Sequence, residues 1–187
     1  TAKQFADSLL IPVYEGGEIQ SLQIIQADGS KRFLTGGKVA GCYYAIGKIE
    51  NAMALCICEG FATGASIHEA TGYPVAIAFN AGNLQAVARN IKAKYPQLKL
   101  IICGDDDYKT EGNPGVTKAT ETAQAVNGLL AIPSFGVHRK EKATDFNDMA
   151  QEASLQAVKE VIKNALQPIQ TQWHDPIPLP DMPPVQA

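Results

Sequence analysis

The sequence predicts an α/β fold: helices on both faces of a mostly parallel four-stranded sheet, three layers in all, preceded by a small antiparallel β subdomain. Three observations carry this. From Leu55 onward, short apolar runs bounded by turn residues alternate with stretches of helical period, the pattern of βαβ units. Two of those runs, Leu55-Cys56-Ile57-Cys58-Glu59-Gly60 and Leu100-Ile101-Ile102-Cys103-Gly104-Asp105-Asp106-Asp107, stop at glycine and carboxylate, as buried strands do on reaching the edge of a sheet. Before residue 50, short strand-like segments are instead joined by glycine turns.

Residues 1–10 carry a weak helical pattern in Phe5, Leu9 and Leu10. Residues 11–14 and 22–25 read as strands around Glu15-Gly16-Gly17-Glu18, and Ala27-Asp28-Gly29-Ser30 turns the chain into Lys31-Arg32-Phe33-Leu34, a meander closed by Thr35-Gly36-Gly37-Lys38. The parallel strand at 55–58 leads to a helix over 62–70, and 75–79 is the next strand. Leu84, Val87, Ala88 and Ile91 then recur at the spacing of one helix face, and Asn83 is placed to cap that helix. The third strand is 99–103, followed by an acidic loop through Gly112. Val116, Ala119, Ala123 and Val126 mark another helix, with Pro114 in its first turn. A fourth strand, 129–132, stops at Pro133, and a last helix over 154–166 turns Leu155, Val158, Ile162 and Ala165 inward. We expect residues 1–50 to form the β-rich part, 51–166 the α/β domain, and 167–187, proline-rich and carrying Trp173, an extended linker or tail.

With 187 residues the chain can bury a real core, and 45% hydrophobic with 19% charged residues is ordinary for a soluble globular protein. A count of 16 Lys+Arg against 19 Asp+Glu, net -3, excludes a globally basic nucleic-acid binder but leaves room for a local patch. No apolar run approaches the ~20 residues of a membrane helix and no signal pattern opens the chain, so we expect a cytoplasmic protein with no membrane partner. Of Cys42, Cys56, Cys58 and Cys103, three lie in predicted core strands, where reduced buried thiols fit better than disulfides. Cys56 and Cys58 lack the spacing of a zinc knuckle. His68, His138 and His174 are isolated, and there is no HExxH, nucleophile elbow, phosphate-binding P-loop or dinucleotide fingerprint. An initial Thr1 without methionine and a proline-rich end lead us to expect a piece of a longer protein.

The acids carry the candidate chemistry. In extended backbone, side chains at i and i+2 share a side, so Asp105 and Asp107 converge while Asp106 points away. If the first and third strands are neighbours, in a 2-1-3-4 order, Glu59 joins them at the switch point of the sheet. Mg²⁺, or Mn²⁺, favours such carboxylates together with water and phosphate oxygens. On the loop Lys142-Ala143-Thr144-Asp145-Phe146-Asn147-Asp148, Asp145 is either a further metal ligand or, like Asp148, the cap of the turn that follows. Lys31, Arg32 and Lys38 form the best basic cluster, a phosphate-gripping strip or a polar sheet face. Asn113, Gly115 and Lys118 stand at a helix start, where an anion is favoured; Lys118 is equally readable as a solvent-facing lysine.

The strings "CEGFATGASIHEATGYPVAIAFNAGNL", "LIICGDDD", "NPGVTKA" and "TDFND" resemble the Toprim domain, in the form found in phage and plasmid primases and primase-helicase proteins. The preceding "IPVYEGGEIQSLQIIQADGSKRFLTGGKVAGCYYAIG" is similar to the segment leading into that domain, and "WHDPIPLPDMPP" to linkers before a helicase-type domain. The resemblance implies a Toprim-like fold and the synthesis of short RNA primers from NTPs on a single-stranded DNA template, with divalent metal and a helicase domain or protein as partner. It puts the family glutamate on Glu59, as metal ligand or general base, and the metal-binding aspartates on Asp105 and Asp107. Lys31, Arg32 and Lys38 would then hold template or NTP phosphates. Two alternatives stand beside it: a Toprim-type nuclease using the same acids, and a non-catalytic module binding single-stranded DNA or a replication partner. The chain has neither a primase zinc domain nor a helicase Walker motif.

Overall fold

A computed structural model describes residues 7–137 and 139–166. The expectations placed on Phe5, on His138 and on the 167–187 tail with Trp173 and His174 lie outside the described residues.

Two sheets organise the described chain. The first, ordered β1-β2-β3, is antiparallel and consists of β1 (Leu9–Glu15), β2 (Glu18–Ile25) and β3 (Lys31–Phe33). Leu9 and Leu10 open β1 and are not helical, because pairing with Ile25 and Ile24 satisfies backbone groups that a single isolated turn would leave marginal. The second sheet holds β4 (Tyr44–Ile46), β5 (Ala54–Cys58), β6 (Val75–Ile77), β7 (Lys99–Cys103) and β8 (Leu129–Ala131) in the order β4-β6-β5-β7-β8. All four parallel strands expected from the sequence are present, in the 2-1-3-4 order. The additional strand, β4, runs antiparallel along the edge of β6. Three residues are too few to show a period, and β4 is defined by its partner alone. Tyr14 and Tyr43 exchange two 3.0 Å backbone hydrogen bonds, which ties the two sheets together.

Side chains alternate across the large sheet and feed two cores. Cys56, Cys58, Val75, Ile77, Ile101 and Cys103 face α1 (Phe61–Thr71), α4 (Phe146–Glu152) and α5 (Leu155–Ala165). Leu55, Ile57, Ala76, Leu100 and Ile102 face α2 (Leu84–Lys94) and α3 (Pro114–Ala125). This is the three-layer arrangement, with β5 buried along its whole length. All four cysteines are buried and free. Burial pushes the Cys58 and Cys103 thiols well up, so they stay neutral. Among the described residues, no helix is long and apolar enough to cross a membrane.

Asn83 does not cap α2 with its side chain, contrary to expectation. It closes a 3-10 turn, Ala81–Asn83, whose cap is Asn80. The Asn83 amide is buried between the large sheet and the segment leading out of the small one. It accepts from Gly41 N–H (2.7 Å) and donates to the carbonyls of Val39 (3.1 Å), Cys42 (3.0 Å) and Ala78 (2.9 Å). A buried amide takes the partners that leave the fewest unpaired groups, and here those are tertiary.

Candidate active site

Glu59 directly follows β5, and Asp105 to Asp107 follow β7 after Gly104. Because β5 and β7 are adjacent and parallel, with Cys56 beside Ile101 and Ile57 beside Ile102, both acid-bearing ends emerge at one edge of the sheet. The loop after β8 brings Asp145 to the same place: Thr63 Oγ1, in the first turn of α1, donates to Asp145 Oδ2 at 2.6 Å. Close packing makes the crevice possible. Gly115, at the start of α3, lies so near the Asp105 carbonyl that a Cβ there would collide with it, and the Gly115 N–H donates to Asp107 Oδ2 at 3.2 Å.

Electrostatics bind these acids into one site. Burial, with Glu59, Asp145 and Asp107 as like-charged neighbours, pushes the Asp105 carboxyl up to about 8, and Lys31 alone among the contributing groups pulls it down. Burial, then Asp107, raises Glu59 to about 7; a hydrogen bond from the Ala81 backbone opposes the rise. Glu59 Oε1 and Asp105 Oδ1 are buried without a hydrogen-bond partner. An orphaned buried acceptor is costly and calls for a ligand. The available donors are carboxylate oxygens, which suit a hard divalent cation. Among the described residues no three His, Cys, Asp or Glu side chains close on a common centre: Asp107 leans on Gly115, and Asp145 is held by Thr63 and by the Asp148 N–H (2.8 Å). The acids therefore fit a divalent cation by chemistry and by their two free oxygens, without forming a finished coordination shell.

The other expected residues divide. Asp145 is the N-cap of α4 in a reciprocal capping box with Asp148, it accepts from Thr63, and its charge reaches Asp105. Lys31 and Phe33 share one face of β3; Phe33 packs edge-on against Phe79 at 5.7 Å, and the charge of Lys31 reaches Asp105. Arg32, exposed, points to the other face. Lys38 pairs with Glu15 at 2.6 Å, and Lys118 with Glu121 at 2.8 Å. Asn113 caps α3 through Val116 N–H (3.4 Å) and donates to Asp106 Oδ1 at 2.7 Å. Asp106 is bonded away from the other acids' partners, by Asn113 and by a residue that was not legible in the sequence. Arg139, one residue in a polar loop, donates from Nη1 to Asp106 Oδ2 at 2.6 Å and from Nη2 to the Asp106 carbonyl at 2.9 Å. Only the fold shows that this loop crosses the acidic one.

The Toprim domain family matches residues 54–155, the span that contains the whole acidic crevice. Two DNA primase TraC proteins of Escherichia coli are each 44% identical over 133 residues, which cover 67% of this chain but only 12% and 9% of those proteins. The primase fragment of the Bacteriophage T7 primase-helicase protein superposes with a TM-score of 0.60 at 16% identity, over 82% of this chain and 61% of that one. The RNA polymerase domain of the Mycobacterium tuberculosis primase DnaG gives 0.55, also at 16% identity, over 83% and 54%. At that identity the likeness is one of fold.

Proposed function

The chain belongs to the Toprim domain family, and we propose that it is the catalytic Toprim part of a primase-type replication protein, making short RNA primers from NTPs on single-stranded DNA. The observation that carries this reading is the crevice of Glu59, Asp105 and Asp107, with two buried carboxylate oxygens left free at the carboxyl edge of the sheet. The TraC relatives bear the name DNA primase, and the share of them spanned here is small, so activity, substrates and partners are assigned to this chain as our reading. In that reading residues up to about 50 form a β-rich lead-in, 51–166 the catalytic domain, and 167–187 a linker toward a helicase domain or protein.

Asp105 and Asp107 would hold Mg²⁺ or Mn²⁺ with Glu59 beside them, and the cation would supply neutralisation of the charge on the triphosphate and on its leaving oxygens. The residues do the rest. Glu59, near 7, is able to ligate or to take the proton of a primer 3′-hydroxyl, and its place beside Asp105 favours the metal-linked role. Lys31, whose charge reaches Asp105, would offer an ammonium to template or NTP phosphates. Arg32, on the opposite face of β3, and Lys38 and Lys118, which pair with Glu15 and Glu121, would offer further cations to the phosphates. The Asn113 side chain serves the start of α3 and Asp106, so anion binding there falls to the helix end itself.

The test incubates the protein with single-stranded DNA, labelled NTPs and Mg²⁺ or Mn²⁺, beside the Asp105→Ala, Asp107→Ala variant. NTP-dependent oligonucleotides that vanish in the variant support the reading. DNA shortened without NTPs would replace it by a nuclease, and DNA binding with no synthesis or cutting by a non-catalytic module.

A further inference from the structure

We infer that Arg139 is the positioning residue of this site: by locking Asp106 it turns Asp105 and Asp107 into the crevice and joins the two loops that carry the acids. Every polar group of Asp106 is engaged. Its Oδ1 accepts from Asn113 and its Oδ2 and carbonyl from Arg139, while its N–H donates to the Thr144 carbonyl at 2.7 Å. Arg139 in turn donates from Nε to the Ala143 carbonyl at 2.8 Å, so one guanidinium grips the loop after β7 and the loop leading to Asp145. Its plane lies between two rings, Tyr108 at 3.8 Å and Phe135 at 4.2 Å. The pair is largely shielded, with 17% and 21% of the two side chains exposed, which sets it apart from the open ion pairs elsewhere on the surface. A planar fork with three bonds and two stacked faces fixes orientation as no lysine can. Asp106 stands between the two acids in the chain, so fixing its carboxylate and both its backbone groups fixes the backbone from which Asp105 and Asp107 project.

This rests on the metal-dependent reading above, and it is tested with the whole chain by two readouts. The first is Mn²⁺ affinity by electron paramagnetic resonance; the second is amide hydrogen exchange at Asp106 and Gly115, whose N–H groups bond Thr144 and Asp107. Arg139→Gln is expected to weaken Mn²⁺ roughly tenfold, as loss of an orienting partner does at metal sites, and to speed exchange at both amides but not in β5. Arg139→Lys, which keeps the charge and cannot make three bonds, should recover only part of the affinity, and it carries the test if Arg139→Gln loosens β5 as well. Asp106→Asn combined with Arg139→Gln should cost less than the two single effects added. If wild type binds Mn²⁺ and Arg139→Gln binds it equally well, the inference is overturned. If wild type binds none, the metal reading itself fails, and unchanged exchange at Asp106 and Gly115 then overturns the positioning role too.

Discussion

Glu59 and Asp105 hold protons in the folded chain at pH values where the unfolded chain would release them, since their carboxyls titrate near 7 and 8. Between about pH 4 and pH 8 the folded state therefore binds more protons, and stability falls as pH rises through that window and levels off above it. Thermal melting in chelator should show this decline, and Glu59→Gln with Asp105→Asn should flatten it. At the alkaline end Mn²⁺ should raise the melting temperature of wild type but not of a variant with Glu59→Gln, Asp105→Asn and Asp107→Asn; equal shifts in both would remove the site as drawn. Gly115→Ala tests the packing beneath it. A methyl group aimed at the Asp105 carbonyl should cost about 1–3 kcal/mol in urea denaturation, through forced backbone shift.

At the scale of elements, the loops at the edge of the sheet are fixed by polar groups that serve two neighbours at once. Asp145 caps α4 and also weighs on Asp105. Asp145→Ala should lose about 1 kcal/mol through the missing cap. Asp145→Asn should keep the cap, relieve repulsion at Asp105, and so make the cation-free protein more stable near pH 8 than wild type. Asn83 does the equivalent for the small sheet. Asn83→Ala strands the Gly41 N–H and the carbonyls of Val39, Cys42 and Ala78, for about 2–4 kcal/mol. Faster proteolysis within residues 34–43 would show that the loss is local to the junction, and proteolysis spread evenly over the chain would count against it.

Over the whole molecule, a net charge of -3 means that nucleic acid is not drawn by the protein at large. In the proposed reading, affinity for single-stranded DNA comes from local cations, with Lys31 of the small sheet first among them. Lys31→Ala should weaken that binding and reduce its salt dependence by about one unit of slope, as measured by fluorescence anisotropy across a salt series. An unchanged slope would place the DNA elsewhere. The junction matters for the same reason: the Tyr14–Tyr43 backbone pair, the Asn83 amide and the Phe33–Phe79 contact together hold β3 where the charge of Lys31 reaches Asp105.

The parallel strands, their helices and the two stretches that end in acid can be read from the sequence alone. Each of these is a local matter of period, turn chemistry and chain direction. Three-dimensional packing settles that β4 completes the sheet, that Asn83 leaves α2 uncapped and takes four partners across the junction, and that Asp145 caps α4. The same holds for Arg139 and Asp106: the two are far apart along the chain, and only the side-by-side placement of β7 and β8 sets their loops together. Burial and charge at Glu59 and Asp105 follow from that assembly, because a carboxylate's pKa depends on which groups surround it in space and not on which precede it in the chain.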